Sequence, residues 1–330
     1  MRFSDWTARP RLSLYLLLAA MVTGCDRPAS NPQPLASFKD ARVVAVGWTA
    51  DDRQWPGIRG GIERAAADFA PLRVEFRAAR DALPATYAAL IADVERARPH
   101  VAILHVGRAR DVEHAVRRLT HAGVRVVTVG RTLASEGEYA RVEIDLPGGA
   151  ELLGAELPRI AAGGQAYVLL HARGIDAEAT RLYQRFAAGA EKNRLISRLA
   201  ERTRPAADSD GRAQIGEMLA EFRNVSLVIT LDDRPWRSGA AGLLGPANRF
   251  ATLPASPVLW GEMRAGRCAA LAGPLDGDAG AAALNLAVHA LSNSPRPESP
   301  RVIPCELVTP DSLDDFARRY RAAAGASEGP

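Results

Sequence analysis

The sequence predicts an α/β protein built as two doubly wound lobes, each a parallel sheet covered by helices on both faces. Three observations carry this. Residues 99–131 hold an apolar run, a one-faced helical segment and a second apolar run, the pattern of a β-α-β crossover, which builds parallel sheets. The same alternation resumes past residue 145 and continues almost to the C-terminal end. A chain of 330 residues is also long enough to bury two separate cores.

In the first series, Val43–Gly47 is an apolar strand with Trp48 at its carboxyl end. A loop from Thr49 to Trp55 leads into a helix with Pro56 in its first turn and Ile58, Ile62, Ala65, Ala66 and Phe69 on one face. Leu72–Phe76 is the second strand, and Tyr87, Leu90, Ile91 and Val94 mark the next helical face. Val101–His105 is too short for a helix and lies between Pro99 and Gly107, so it reads as a buried strand. Asp111 is placed to cap a helix whose face is Val112, Ala115, Val116 and Leu119, closed by Gly123. Val124–Val129 follows as a strand ending on Gly130 and Arg131. Ligands of parallel sheets bind beyond the carboxyl ends of the strands, which puts His105, Gly130 and Arg131 beside any site.

Arg141–Ile144 reads as a short link to the second series. Gly148–Ile160 has helical spacing through Leu153, Leu157 and Ile160, ended or kinked by Pro158. Ala166–Leu170 is a strand, and Asp176 caps a helix through Leu182, Tyr183 and Phe186. A weak strand near Leu195–Leu199 precedes a polar connection, a helix through Ile215, Met218, Leu219 and Phe222, and a strong strand, Val225–Leu231, ending at Asp232 and Asp233. Pro257–Trp260 and Cys268–Ala272 are read as further strands. Asp276 or Asp278 then caps Gly280–Leu291, Arg301–Val308 is a last strand, and Thr309-Pro310 starts a terminal helix through Leu313, Phe316 and Tyr320.

The N-terminus reads as an address. Arg2, Arg9 and Arg11 precede a short apolar stretch, Leu12–Thr23, too short for a stable membrane span. It ends in Val22-Thr23-Gly24-Cys25, which resembles a bacterial lipobox. That resemblance implies a signal peptide over 1–24, diacylation of Cys25 and a place on the periplasmic side of the cell membrane. Asp26 resembles an inner-membrane retention signal. Residues 25–41, rich in proline and without apolar periodicity, read as a tether with a reach on the order of 20 Å. The remaining cysteines, Cys268 and Cys305, are an even pair in an oxidising compartment and are expected to form a disulfide. Residues 324–330 read as a disordered tail.

A resemblance covers about residues 42–320. "AGVRVVTVGR" followed by "VEIDLPGG" is similar to the "AGIPVVTVDR … SDNxxGG" region of the periplasmic sugar-binding proteins of the ribose-binding type, whose lobes are shared with LacI-type repressors. "WPGIRGGIERAAADF" resembles their "FFxxLxxGxxxAAxxL". "LVITLDDRPWRSGAAGLLG" resembles "AIFAxNDxMAxGAxxAL". "CAALAGPLDGDAG" and "IPCELVTPDSL" resemble "ATVAQDPxxxG" and "xxPxxLVTxxN". The resemblance implies a type I periplasmic binding fold whose lobes are joined by a three-crossing hinge, near Ile144, Pro274 and Ile303. One lobe would then comprise 42–144 plus 275–303, the other 145–274 plus 304–323. It implies hinge closure on a small polar, carbohydrate-like ligand, delivery to an ABC permease or a membrane sensor, a monomeric state and no cofactor.

Sugar recognition needs carboxylates and guanidinium groups for the hydroxyls and flat rings for the CH faces. Strand ends supply Trp48, Trp55, Arg131, Asp145, Asp232, Asp233 and Glu262 as candidates. Trp48 and Trp55 either stack on a ligand or pack a loop onto the first lobe. Arg131 matches the family's ligand-binding arginine. Asp145 serves either the hinge or the cap of the following helix, and one of Asp232 and Asp233 caps the helix after them. Several family groups are replaced. Gly130 stands for an aspartate, Ile144-Asp145 for an Asp-Asn pair, Pro274 for the hinge glutamine and Arg185 for a glycine.

Other functions find little support. The chain has no GxSxG, HExxH, P-loop or GxGxxG motif, and its six histidines lack metal-ligand spacing, so neither an enzyme nor a metal site is expected. The net charge of +4 is spread among 42 basic and 38 acidic residues without a basic run, which argues against a nucleic-acid partner.

Overall fold

The computed structural model describes residues 38–49, 52–107, 109–133, 137–161, 166–172, 177–192, 196–203 and 211–325. The leader, Cys25, Asp26, most of the tether and Asp176 lie outside the described residues. Among those residues, no helix is long and apolar enough to cross a membrane.

The first series is β1 (Arg42–Gly47), α1 (Gln54–Ala66), β2 (Arg73–Ala78), α2 (Pro84–Ala97), β3 (Val101–Val106), α3 (Ala109–His121), β4 (Arg125–Gly130) and β5 (Ala140–Ile144). The second is α4 (Leu146–Ala155), α5 (Leu157–Ile160), β6 (Ala166–His171), α6 (Ala177–Glu191), β7 (Ser197–Thr203), α7 (Arg212–Glu221), β8 (Leu227–Thr230), α8 (Arg234–Arg237), β9 (Arg249–Thr252), α9 (Trp260–Arg264) and β10 (Cys268–Gly273). The chain ends with α10 (Asp276–Leu291), β11 (Arg301–Ile303), β12 (Glu306–Val308) and α11 (Leu313–Ala323).

Two six-stranded sheets result, ordered β11-β5-β4-β3-β1-β2 and β12-β10-β9-β8-β6-β7. All pairings are parallel except β10 with β12. The chain leaves the first sheet after β5, returns to it after β10 as α10 and β11, and leaves it again between β11 and β12.

Strand side chains alternate between faces. Val43 and Ala45 of β1 join α1 and α10, whereas Val44 and Val46 face α2 and α3. In the second sheet Tyr167 and Leu169 face α4 and α6, and Val168 and Leu170 face α7, α8 and α11. The α1/α10 and α4/α6 layers belong to one continuous apolar cluster that runs through both lobes. Both helix pairs meet at glycines. A Cβ on Gly280 of α10 would run into the Ile58 carbonyl oxygen of α1, and one on Gly154 of α4 into the Phe186 carbonyl oxygen of α6.

The structure corrects several expectations. Arg141–Ile144 belongs to a fully paired strand. The helix expected from Gly148 begins at Leu146 and breaks at Glu156, and Pro158 lies in the first turn of α5. Pro257–Trp260 is a helical turn leading into α9, and the strand at that place is Arg249–Thr252. Its alternation is too short to stand out between polar flanks. Asp276 is the first residue of α10, whose N-cap is Leu275. Asp111 lies inside the first turn of α3. Arg301–Val308 divides into two strands in different sheets, because the chain changes lobe at Pro304 and Cys305.

Cys268 and Cys305 are free thiols and form no disulfide. Cys268 opens β10 inside the outer core of the second lobe, and Cys305 packs against Gly149 at the crossing. Burial pushes both thiols above their ordinary range, so they remain protonated.

Candidate functional site between the lobes

The carboxyl ends of β1, β3 and β4 in one lobe and of β8 in the other supply a group of polar side chains at the seam. The segment after β1 carries Asp52, Arg53 and Gln54. Strand β3 ends with His105, which is buried, with its Nδ1 lying 3.6 Å from an Asp52 carboxylate oxygen. Burial pushes the imidazole below its usual range, opposed by Asp52 and reinforced by Arg131, so His105 is neutral near pH 7. Neither of its ring nitrogens has a hydrogen-bond partner.

Opposite, the turn after β8 presents Asp232 and Asp233. Asp232 accepts from the backbone N–H of Arg234 (3.1 Å) and from its guanidinium (3.2 Å). Asp233 is buried and pairs with Arg237 at 3.0 Å through Oδ1, while Oδ2 has no hydrogen-bond partner. Burial raises the Asp233 carboxyl, against the pull of Arg237 and of Arg53 in the other lobe. Arg53 answers in kind. Burial and Arg237 lower its guanidinium, Asp233 raises it, and Nη1 is buried without a hydrogen-bond partner. Arg53 and Asp233 are therefore electrostatic neighbours across the seam.

A second link crosses at Arg131, whose Nε lies 3.4 Å from Glu178 on α6. A third lies at the hinge. Asp276, at the start of α10, accepts from the Tyr320 hydroxyl (2.7 Å) and from Gln54 Nε2 (3.4 Å). Burial raises the Asp276 carboxyl to about 7, those two hydrogen bonds oppose it, and Asp52 adds to it. Tyr320 belongs to the outer core of the second lobe, so α11 spans the seam.

The other sequence candidates fare differently. Trp48 is buried against Tyr87, ring centroids 4.6 Å apart, in the α2/α3 core. Trp55 is buried in the α1/α10 core, near-parallel to the His105 ring at 6.2 Å, and a Cβ on Gly47 would come within 2.6 Å of its indole. Both rings pack the lobe and offer no open face to a ligand. Replacing either by alanine is expected to lower unfolding free energy by about 3–5 kcal/mol in urea titrations, the loss typical of a buried large aromatic ring. Asp145 N-caps α4, accepting from Gly148 N–H at 2.8 Å. Glu262 lies on α9, ion-paired to Arg267 just before β10. That is the amino end of the strand, so Glu262 is excluded from the site. Arg53, Gln54 and Asp276 are not among the site residues that the sequence suggests; the polar run after β1 is the signal for Arg53 and Gln54, whereas Asp276 follows β10 and reads from the sequence only as a helix cap. Among the described residues, no group of three His, Cys, Asp or Glu side chains is arranged to hold a metal.

No family model matches the chain, and no curated protein matches it. Solved structures do. The arabinose-binding protein AraP of Geobacillus stearothermophilus aligns with a TM-score of 0.73 at 14% identity, over 84% of this chain and 99% of that one. An ABC transporter solute-binding protein of Bacillus halodurans C-125 with bound myo-inositol aligns at 0.69 and 17% identity, over 84% and 98%. The fold is that of the type I periplasmic binding proteins. The XylFII–LytSN complex also carries the type I fold, at 0.66 and 14% identity, over 82% of this chain and 98% of that one.

Proposed function

We propose that this chain is a solute-binding protein that captures a small polar, sugar-like ligand between its lobes by hinge closure and delivers it to an ABC-type importer. Cys25 is its lipid anchor on the periplasmic side of the membrane. The observation that carries this reading is the set of buried, partnerless polar atoms on both sides of one seam: Arg53 Nη1 and the His105 ring nitrogens in one lobe, Asp233 Oδ2 in the other. Buried polar groups are normally satisfied, and a polyhydroxylated ligand offers both donors and acceptors to satisfy them. Such a ligand touches both lobes only in the closed form, so it shifts the population toward the state that a membrane partner recognises. Neutral His105 can donate from one ring nitrogen and accept at the other, which suits a hydroxyl. With Trp48 and Trp55 inside the lobe, recognition is polar and does not rest on ring stacking. The chemistry is binding without turnover, and no cofactor is involved.

A second reading is a partner-binding or sensory protein with a degenerate cleft. It is favoured by the Arg131–Glu178 pair and the Asp276–Tyr320 bond, which link the lobes directly. The occurrence of the same fold in the XylFII–LytSN complex adds to it.

A thermal-shift panel of pentoses, hexoses, polyols and sugar acids on the chain from residue 26 separates the two. A ligand at a hundred times its dissociation constant stabilises the fold by about 2.7 kcal/mol. Stabilisation by one panel member supports capture; a well-folded protein that answers to none supports the partner-binding reading.

A further inference from the structure

A second concavity lies away from the seam, on the outer face of the first lobe between α2 and α3, with a volume of about 660 Å³. Its origin is compositional. The facing positions Ala85, Ala88 and Ala115 are too small to fill the space between the two helices, and Pro84 and Ile91 complete an apolar floor. The volume lies within the range of small-ligand sites.

The basic groups around this floor all come from α3. Along α3, His114, Arg117 and His121 line the rim. Arg118 is neutralised by Glu95, with 2.6 Å between Nε and Oε2, whereas Arg117 has no ion-pair partner among the described residues. The Tyr87 ring, which also lines the concavity, is buried, and its hydroxyl has no hydrogen-bond partner. Asp111 lines it too, and its charge reaches the Tyr87 hydroxyl. The site thus combines an apolar trough, an unpaired guanidinium flanked by two imidazoles, and one buried hydroxyl.

We infer that the α2/α3 concavity is a second binding site, for a small amphipathic anion: an aliphatic body on the alanine floor and a carboxylate or phosphate head at Arg117. The trough excludes water from the body, and the guanidinium gives the head a charge-assisted hydrogen bond. A sugar of the kind proposed for the seam lacks the apolar body and does not suit this floor. The two sites are separate in chemistry and in place.

Decanoate, below its micellar concentration, is the probe, titrated calorimetrically into the folded chain from residue 26. Saturable one-to-one binding is expected. Arg117→Glu is expected to weaken it at least about tenfold, the effect of losing one charge-assisted contact. Ala88→Phe, at an exposed helix position, fills the trough and is expected to abolish it, while decanol is expected to bind more weakly than decanoate. Arg53→Ala at the seam is expected to leave it unchanged, so the two sites are tested independently. Absence of saturable binding, or binding that survives both Arg117→Glu and Ala88→Phe in variants with unaltered circular dichroism, would overturn the inference.

Discussion

Gly280→Val is expected to destabilise the protein by more than about 4 kcal/mol, the range reached when a packed contact has no room to relax. Any Cβ at this position meets the Ile58 carbonyl oxygen, a backbone atom that cannot swing aside. The α1/α10 contact is tight at a further point, where a Cβ on Gly61 would strike the Gly277 carbonyl oxygen, and α1 meets the end of α11 as closely, where one on Gly60 would strike the Ala324 carbonyl oxygen. Because these helices cover one face of the first sheet and share the apolar cluster of both lobes, separating them loosens the whole seam. Gly261→Ala is the control. That glycine lies in α9 with nothing within 4 Å of where the new methyl group would sit, and its replacement is expected to change stability by less than about 1 kcal/mol. Urea unfolding of the two variants beside the native chain makes the comparison.

Asp276→Asn is expected to make the protein more stable at pH 8 and to flatten its dependence on pH. The Asp276 carboxyl stands at about 7 in the folded protein against an ordinary 3.8. Folding therefore favours the protonated form. The stability linked to this group is fully present below about pH 4 and is lost as pH rises through 7. A separation of this size corresponds to a few kcal/mol at most. Asparagine keeps an acceptor for the Tyr320 hydroxyl but carries no charge to bury. Asp233, raised by burial as well, contributes in the same direction and remains in the variant. Melting temperatures at pH 5 and pH 8 are expected to differ less for Asp276→Asn than for the native chain; equal differences would show that Asp276 is ionised and solvated in the folded state.

Much of the scaffold was legible because its signals are local. The apolar runs read at Val43–Gly47, Val101–His105 and Ala166–Leu170 all fall within buried strands, and the i, i+3, i+4, i+7 face of α3 is its packed face. Strand β9 was missed because four residues leave no periodicity to read, and the apparent strand at Pro257 was a helical turn whose last residue, Trp260, packs against Phe316 and Tyr320 of α11. The site was less legible. Position after a strand is a sequence property, but the direction of a side chain is not. Trp48 and Trp55 follow β1 as a ligand ring would, yet Gly47 and Gly107 leave the space that lets the indoles fold into the lobe. Glu262 was misplaced with the false strand. Arg53 and Asp233 become electrostatic neighbours only when two lobes, joined by three chain crossings, are brought together, and nothing in their sequence separation announces it.

On the proposed function, a polar ligand is held jointly by Arg53 of one lobe and Asp233 of the other. This joint capture is tested most directly by calorimetric titration of the best ligand from the thermal-shift panel into the native chain, Arg53→Ala and Asp233→Asn. Each variant removes one charged contact, and each is expected to weaken binding by about tenfold or more while the variant still unfolds cooperatively. Binding unchanged in both variants, or no ligand that stabilises the folded chain, would rule out joint capture by these two residues.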